Sequence, residues 1–162
     1  MFSDDIIKLA TEVLELARIN GHQIATAESC TGGLIIGALT EIAGSSDVVD
    51  RGFITYSNLA KQQAIYVNPV TLETHGAVSE ETAAEMVGGA LTESEASIAV
   101  SVTGIAGPGG GSKEKPVGLV HIAVQKWGTL PVLEKHKFGD IGRTKIREET
   151  VRSALKLLKT II

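Results

Sequence analysis

The stretch Gln23-Ile24-Ala25-Thr26-Ala27-Glu28-Ser29-Cys30-Thr31-Gly32-Gly33, continued by Leu34-Ile35-Ile36-Gly37-Ala38-Leu39-Thr40-Glu41-Ile42, decides the fold class. Residues 23–27 read as a short strand, and Leu34 to Ile42 is apolar almost throughout, as suits a buried helix entered directly from that strand. The junction sets the Ser29 hydroxyl at the carboxyl edge of a sheet, beside the free N–H groups of a new helix, where a phosphate or a developing oxyanion is stabilised. A tight turn capped by Ser29 or Thr31 accounts for the same residues without a ligand. Two glycines cost about 1 kcal/mol each relative to alanine inside a helix, a cost that marks close packing or a ligand.

Outward from this unit the pattern repeats. Upstream, Ile6, Ile7, Leu9, Ala10, Val13, Leu14 and Ala17 recur at helical spacing behind Ser3 and Asp4, which predicts an N-capped amphipathic helix ending near Asn20-Gly21. Downstream, Phe53 to Tyr56 reads as a second strand, Asn58 to Ile65 as a short helix carrying Lys61, and Asn68-Pro69 as part of a loop. Ser79 with Glu80 and Glu81 opens a helix that runs to about Leu91, its acids well placed against the dipole. Ser97 to Val102 is a continuous apolar run for a strand covered on both faces. Gly104 to Lys115 is a glycine-rich loop; Val117 to Gln125 and Leu130 to Phe138 then flank Trp127-Gly128-Thr129 as a hairpin, and Arg143 to Leu158 closes as a helix with a basic polar face. Strands alternating with helices, plus one C-terminal hairpin, predict an α/β fold: a three-layer α/β/α sandwich with a mixed, mainly parallel sheet, formed by residues 1–162 as a single domain.

Composition narrows the function classes. The 162 residues are enough to bury roughly two-thirds of the unfolded surface, so no disulfide or structural metal is required. Fifteen Lys and Arg against 19 Asp and Glu leave a net charge of -4, which supplies no basic field for a nucleic acid. One cysteine excludes an intrachain disulfide, the acidic start Met1-Phe2-Ser3-Asp4-Asp5 is unlike a signal peptide, and no apolar run approaches a membrane span, so a cytoplasmic location is expected. Apolar helices near Leu34 to Leu39 and Met86 to Leu91 leave room for a homo-oligomeric interface.

A second small-residue loop, Thr103-Gly104-Ile105-Ala106-Gly107-Pro108, leaves the end of another buried strand, and two such loops on one sheet edge face a common crevice, where open α/β sheets bind ligands. No Gly-Lys-Ser or Gly-Lys-Thr occurs, so this is not a P-loop, and Ser112 stands where the dinucleotide fingerprint needs its third glycine. As a nucleophile Ser29 needs a base. The four histidines, His22, His75, His121 and His136, show no metal-ligand spacing, and His121 falls inside a strand. Lys61, one helical turn past the strand end Tyr56-Ser57-Asn58, reaches the same crevice, but lowering its pKa from about 10.4 to 7 or 8 costs roughly 4 kcal/mol and demands a sheltered site. A lone lysine is ordinarily solvated surface.

Taken together, Thr26-Ala27-Glu28-Ser29-Cys30-Thr31-Gly32-Gly33, Ile42-Ala43-Gly44-Ser45-Ser46, Gly52-Phe53-Ile54-Thr55-Tyr56-Ser57-Asn58 with Lys61, His75-Gly76-Ala77-Val78-Ser79, and Thr103-Gly104-Ile105-Ala106-Gly107-Pro108 with Lys115-Pro116-Val117-Gly118 closely resemble the C-terminal domain of the competence- and damage-inducible CinA proteins, in its stand-alone form. The resemblance implies nicotinamide-nucleotide amidohydrolase activity, hydrolysing nicotinamide mononucleotide to nicotinic acid mononucleotide and ammonia in pyridine nucleotide salvage, with no cofactor. It maps the expected catalytic pair onto Ser29 and Lys61, with Tyr56 beside them to position the lysine or relay a proton. With that chemistry, N–H groups of the Thr31-Gly32-Gly33 turn are expected to hold the oxyanion, and Thr103, Gly104 and Arg143 the ribose phosphate; Cys30 is expected to be a small neighbour of the nucleophile. Larger family members carry an N-terminal molybdopterin-binding-like domain, so no activity of that domain is expected here. The competing class is a nucleotide-sensing or protein-interaction domain that binds without turnover; a metal-dependent phosphate-ester hydrolase has less support, since no acidic cluster suggests a metal.

Overall fold

The computed structural model describes residues 2–162. Along the chain run α1 (Asp4–Ile19), β1 (Ile24–Glu28), α2 (Leu34–Thr40), β2 (Val49–Ile54), α3 (Asn58–Ile65), α4 (Pro69–His75), α5 (Glu80–Thr92), β3 (Ile98–Gly104), β4 (Leu119–Lys126), β5 (Val132–Lys137) and α6 (Arg143–Lys159). The five strands form one sheet in the order β2-β1-β3-β4-β5. β1 pairs parallel with β2 and β3, and β4 pairs antiparallel with β3 and β5, so every strand but β4 points the same way. The expected mixed, mainly parallel sheet with a C-terminal hairpin is what forms. No helix among the described residues is long and apolar enough to cross a membrane.

Helices cover both faces of the sheet, and the side chains between the layers differ sharply. Ile24, Ile98, Val100, Val102, Val120, Ile122 and Val124 point to one face and pack with Val13, Leu14, Leu39, Ile146, Leu155 and Leu158 from α1, α2 and α6. The alternate positions Ala25, Ala27, Ala99 and Ala123 point to the other, where Ala83, Met86, Val87 and Ala90 of α5 lie against them with Ile65 and Leu72. Short side chains bring α5 close: Ser101 Oγ donates to the Ala83 carbonyl at 2.6 Å, and a Cβ on Gly89 would stand 2.0 Å from the Ile65 carbonyl oxygen. α3 therefore ends with its backbone pressed on α5.

Two expectations change. α4 occupies part of the segment read as a loop, with Asn68 Oδ1 accepting from the Val70 N–H and Pro69 at its first position. Ser3 stands at the N-cap of α1 but makes no side-chain cap, because its hydroxyl accepts from Arg152 of α6 instead. The apolar faces of α2 and α5 pack within the chain, with Ile35, Ala38, Leu39, Met86, Val87, Ala90 and Leu91 buried and Leu34 and Ile36 half-buried. Exposed apolar side chains lie elsewhere, at Tyr56, Leu59, Tyr66 and Val70 and at Trp127 and Leu130 of the hairpin.

Candidate active site

Ser29 is the first residue past β1, held to the sheet edge by its N–H, which donates to the Val102 carbonyl. Lys61 approaches from α3, whose start is fixed by Ser57 Oγ accepting from the Ala60 N–H. The side chain turns inward from the middle of the helix and is 1% exposed, against the ordinary expectation for a lone lysine. Its Nζ donates to Ser29 Oγ at 3.0 Å and to the Thr55 carbonyl at 2.8 Å, and no carboxylate among the described residues forms an ion pair with it. Burial disfavours the ammonium form and lowers its pKa to about 8, so a substantial fraction is neutral amine near physiological pH. The sheltered site that the sequence could only demand is supplied by the close packing of α3 on α5.

The turn that follows Ser29 is clamped from both sides. Glu28, fully buried at the end of β1, directs its carboxylate at the start of α2 and accepts from the N–H groups of Gly33, Ile35 and Ile36 at 3.1, 3.0 and 2.8 Å, and from Thr26 Oγ1 at 3.2 Å. On the far side Arg147 of α6 donates to the Thr31 carbonyl at 2.7 Å. The helix N-terminus expected to bind an anion is thus already occupied by the chain's own carboxylate. Gly32 and Gly33 are glycine because their φ angles are +59° and +95°, a left-handed backbone that other residues rarely adopt. Neither they nor Thr31 line the cavity at Ser29. The N–H groups of Cys30 and Thr31 donate to no described residue, and Cys30 does line the cavity.

That cavity, about 220 Å³, is walled by Ser29, Cys30, Tyr56, Lys61, Ala77, Val78, Thr103, Gly104, Ala106 and Arg143, so both small-residue loops do share one crevice. Six of the expected site residues meet there: Ser29, Tyr56, Lys61, Thr103, Gly104 and Arg143. Their roles are narrower than foreseen. Tyr56 does not bond Lys61; its hydroxyl accepts from Arg143 at 2.9 Å, and a second Arg143 nitrogen donates to the Gly107 carbonyl at 2.9 Å, tying the two loops across the mouth. The carbonyl of Thr55, one residue earlier, positions the lysine instead. Thr103 Oγ1 donates to the Ala77 carbonyl at 2.6 Å, and Gly104 is required by packing, since a Cβ there would lie 2.7 Å from Val120 Cγ2. Burial pushes the Cys30 thiol up to about 12, which keeps it protonated and inert beside Ser29. The histidines are engaged elsewhere, His22 with Ser97, His75 with Glu81 and His136 with Glu134, and His121 faces a neighbouring cavity. Among the described residues no group of His, Cys, Asp and Glu is arranged to hold a metal ion.

Sequence reasoning missed Glu28, Arg147 and the Ala77-Val78 wall. The signal for Glu28 was present: an acid that ends an apolar strand, with no basic residue nearby in sequence, must find N–H donors when buried. Nothing local announces Arg147, whose carbonyl partner is 116 residues away.

A family model described as the CinA C-terminal domain matches residues 6–162. A protein of Caldicellulosiruptor bescii called a putative competence-damage inducible protein is 50% identical over 137 residues, covering 85% of this chain and 33% of that protein. The chain spans about a third of the length of the first curated relatives it matches. A protein of Escherichia coli K12 named nicotinamide-nucleotide amidohydrolase PncC is 44% identical over 159 residues, covering 98% of this chain and 95% of that one. The crystal structure of a competence/damage inducible protein from Agrobacterium tumefaciens superimposes with a TM-score of 0.97 at 56% identity, covering 99% of this chain and 97% of the other.

Proposed function

Because the chain belongs to the CinA C-terminal domain family, we propose that it is an amidohydrolase that converts nicotinamide mononucleotide to nicotinic acid mononucleotide and ammonia, in pyridine nucleotide salvage, with Ser29 and Lys61 as its catalytic pair. The observation that carries the reading is the buried Lys61 amine, without an acidic partner, 3.0 Å from the Ser29 hydroxyl. A passive binding site gains nothing from burying an unpaired amine, whereas a serine nucleophile needs a base of this kind. The name of the Escherichia coli relative points to the same substrate.

In this mechanism neutral Lys61 takes the Ser29 proton as Oγ attacks the carboxamide carbon. The oxyanion is held by the free N–H group of Cys30, which lines the cavity, whereas the Gly32 and Gly33 N–H groups expected from sequence donate to the Ser29 carbonyl and to Glu28. The C–N bond breaks as Lys61 returns the proton to the leaving nitrogen, giving ammonia and an ester on Ser29. Water then attacks that ester, Lys61 takes its proton and passes it to Ser29 Oγ, and the carboxylic acid product leaves. Thr103, Gly104, Tyr56 and Arg143 enclose the reacting end of the substrate.

The test is ammonia and nicotinic acid mononucleotide release from nicotinamide mononucleotide by wild type and Ser29→Ala, with a chelator present. Turnover that survives the chelator and falls at least about a thousandfold in the variant supports a metal-free serine amidohydrolase. Calorimetric binding of the nucleotide without turnover by wild type makes this a sensing domain.

A further inference from the structure

Arg147 is placed at a cost that the packing of α6 does not explain. It is half-buried, it forms no ion pair with a carboxylate among the described residues, and its Nε is covered and without a partner. A cation held in this way is destabilising unless something else requires it. Its one hydrogen bond among the described residues runs from Nη2 to the Thr31 carbonyl at 2.7 Å, an oxygen that also accepts from the Leu34 N–H at 3.3 Å. α6 is already seated on the sheet by Ile146, Val151, Ala154, Leu155 and Leu158, so the helix does not need this contact to pack.

What the bond reaches is the turn that follows Ser29. A trans peptide group is planar, so its C=O and its N–H point opposite ways. The peptide joining Thr31 to Gly32 accepts from Arg147 at its oxygen and donates from its N–H to the Ser29 carbonyl at 3.1 Å. That carbonyl belongs to the peptide joining Ser29 to Cys30, whose own N–H points the other way and has no partner among the described residues. Cys30 walls the cavity at Ser29. Two peptide dipoles therefore stand head to tail between the guanidinium and the N–H beside the nucleophile. A hydrogen bond accepted at one end of such a chain strengthens the bond donated at the other, and a charged donor does so most.

We propose that Arg147 is a positioning residue for the oxyanion site: it fixes the direction of the Cys30 N–H and polarises it through these two peptide groups. The inference rests on the amidohydrolase reading. Glu28 anchors the far end of the same turn by accepting from the N–H groups of Gly33, Ile35 and Ile36, so Arg147 acts on a frame that cannot swing away from it. Lys61 is held separately, by burial and by the Thr55 carbonyl, neither of which involves Arg147. Removing the guanidinium should therefore weaken oxyanion stabilisation and leave the base untouched.

The experiment compares wild type with Arg147→Met, which keeps the aliphatic stem, and Arg147→Lys, which keeps the charge, each checked for folding by circular dichroism. Arg147→Met is expected to lower kcat about tenfold with KM within about twofold, and Arg147→Lys to recover most of the loss. The midpoint of the pH profile, near 8, is expected to stay in place in both. Turnover by Arg147→Ala is expected to be restored by millimolar guanidinium and not by urea, a neutral molecule of the same shape. An unaltered kcat in Arg147→Met, an effect on KM alone, equal losses in Arg147→Met and Arg147→Lys, or equal rescue by urea overturns the inference. The same proteins without substrate give a second readout: the Cys30 and Gly32 amide proton resonances should move upfield in Arg147→Met and hold in Arg147→Lys. Resonances that do not move overturn the inference whatever the turnover, whereas shifted resonances in a protein whose wild type releases no ammonia overturn only the amidohydrolase reading.

Discussion

The two faces of the sheet do different work. Against α1, α2 and α6 the strands present Ile and Val, and the layer is filled by large aliphatic side chains from both sides. Against α3, α4 and α5 they present Ala and Ser, and the layer is thin enough for a serine hydroxyl to reach a helix carbonyl and for one helix backbone to touch another. The first arrangement buries more apolar area per residue and stabilises the fold. The second brings backbone and polar groups together where water is excluded, and that is the face on which Lys61 is buried and its pKa lowered. The Lys61 amine owes its altered basicity to burial on this thin, small-residue face.

Substitutions break or sharpen this contrast in order of size. Lys61→Met is expected to reduce turnover at least about a thousandfold, roughly 4 kcal/mol of transition-state stabilisation, while the protein stays folded by circular dichroism. Ile122→Ala, on the aliphatic face, is expected to cost about 3 kcal/mol in urea unfolding and to leave kcat of the folded fraction unaltered. A loss of kcat there would show that the two faces are coupled.

The pH dependence reports on the thin face. The folded-state pKa of Lys61, about 8, lies below its ordinary value of 10.5, so the folded state carries the cost of a buried ammonium below pH 8. That cost disappears as pH rises from 8 to 10.5, where the unfolded chain binds the extra proton, so wild type should gain up to about 3 kcal/mol relative to Lys61→Met across this window. Over the same range kcat/KM should rise with a midpoint near 8, as the neutral amine becomes available. Denaturant midpoints and rate profiles measured from pH 6 to 10 check both, and a flat profile would remove Lys61 as the base.

Two smaller effects complete the comparison. Gly89→Ala places a methyl group on the Ile65 carbonyl and should destabilise by about 2 kcal/mol, lowering kcat as α3 and Lys61 shift. Cys30→Ala should retain most activity, since the thiol is protonated and takes no proton from Ser29; abolished turnover would make the sulfur a participant.

Much of this architecture was legible. The β1 to α2 junction, the bounds of α3, the helix start at Ser79 and the C-terminal hairpin all carry local signals, and each formed close to its expected place. α4 escaped because Leu72 is its one buried residue, so it has no apolar stripe, although Asn68-Pro69 is a helix-start signal in its own right. At the site, motifs and resemblance single out Ser29 and Lys61, which lie 3.0 Å apart in the structure, but the α2 N-terminus expected to take an anion is filled by the carboxylate one residue before Ser29.

The sequence by itself determined which segments are strands and helices, where the small-residue loops fall, and that a serine and a lysine stand at strand ends. Those properties depend on spacing, propensity and turn chemistry within a few residues. Only the tertiary structure decided that Lys61 is buried without a counter-ion, that Glu28 fills the helix N-terminus, that Arg147 grips the Thr31 carbonyl and that a second cavity adjoins the first. Each of these depends on which groups share a low-dielectric space after distant parts of the chain have packed, and desolvation and hydrogen-bond satisfaction are properties of that space.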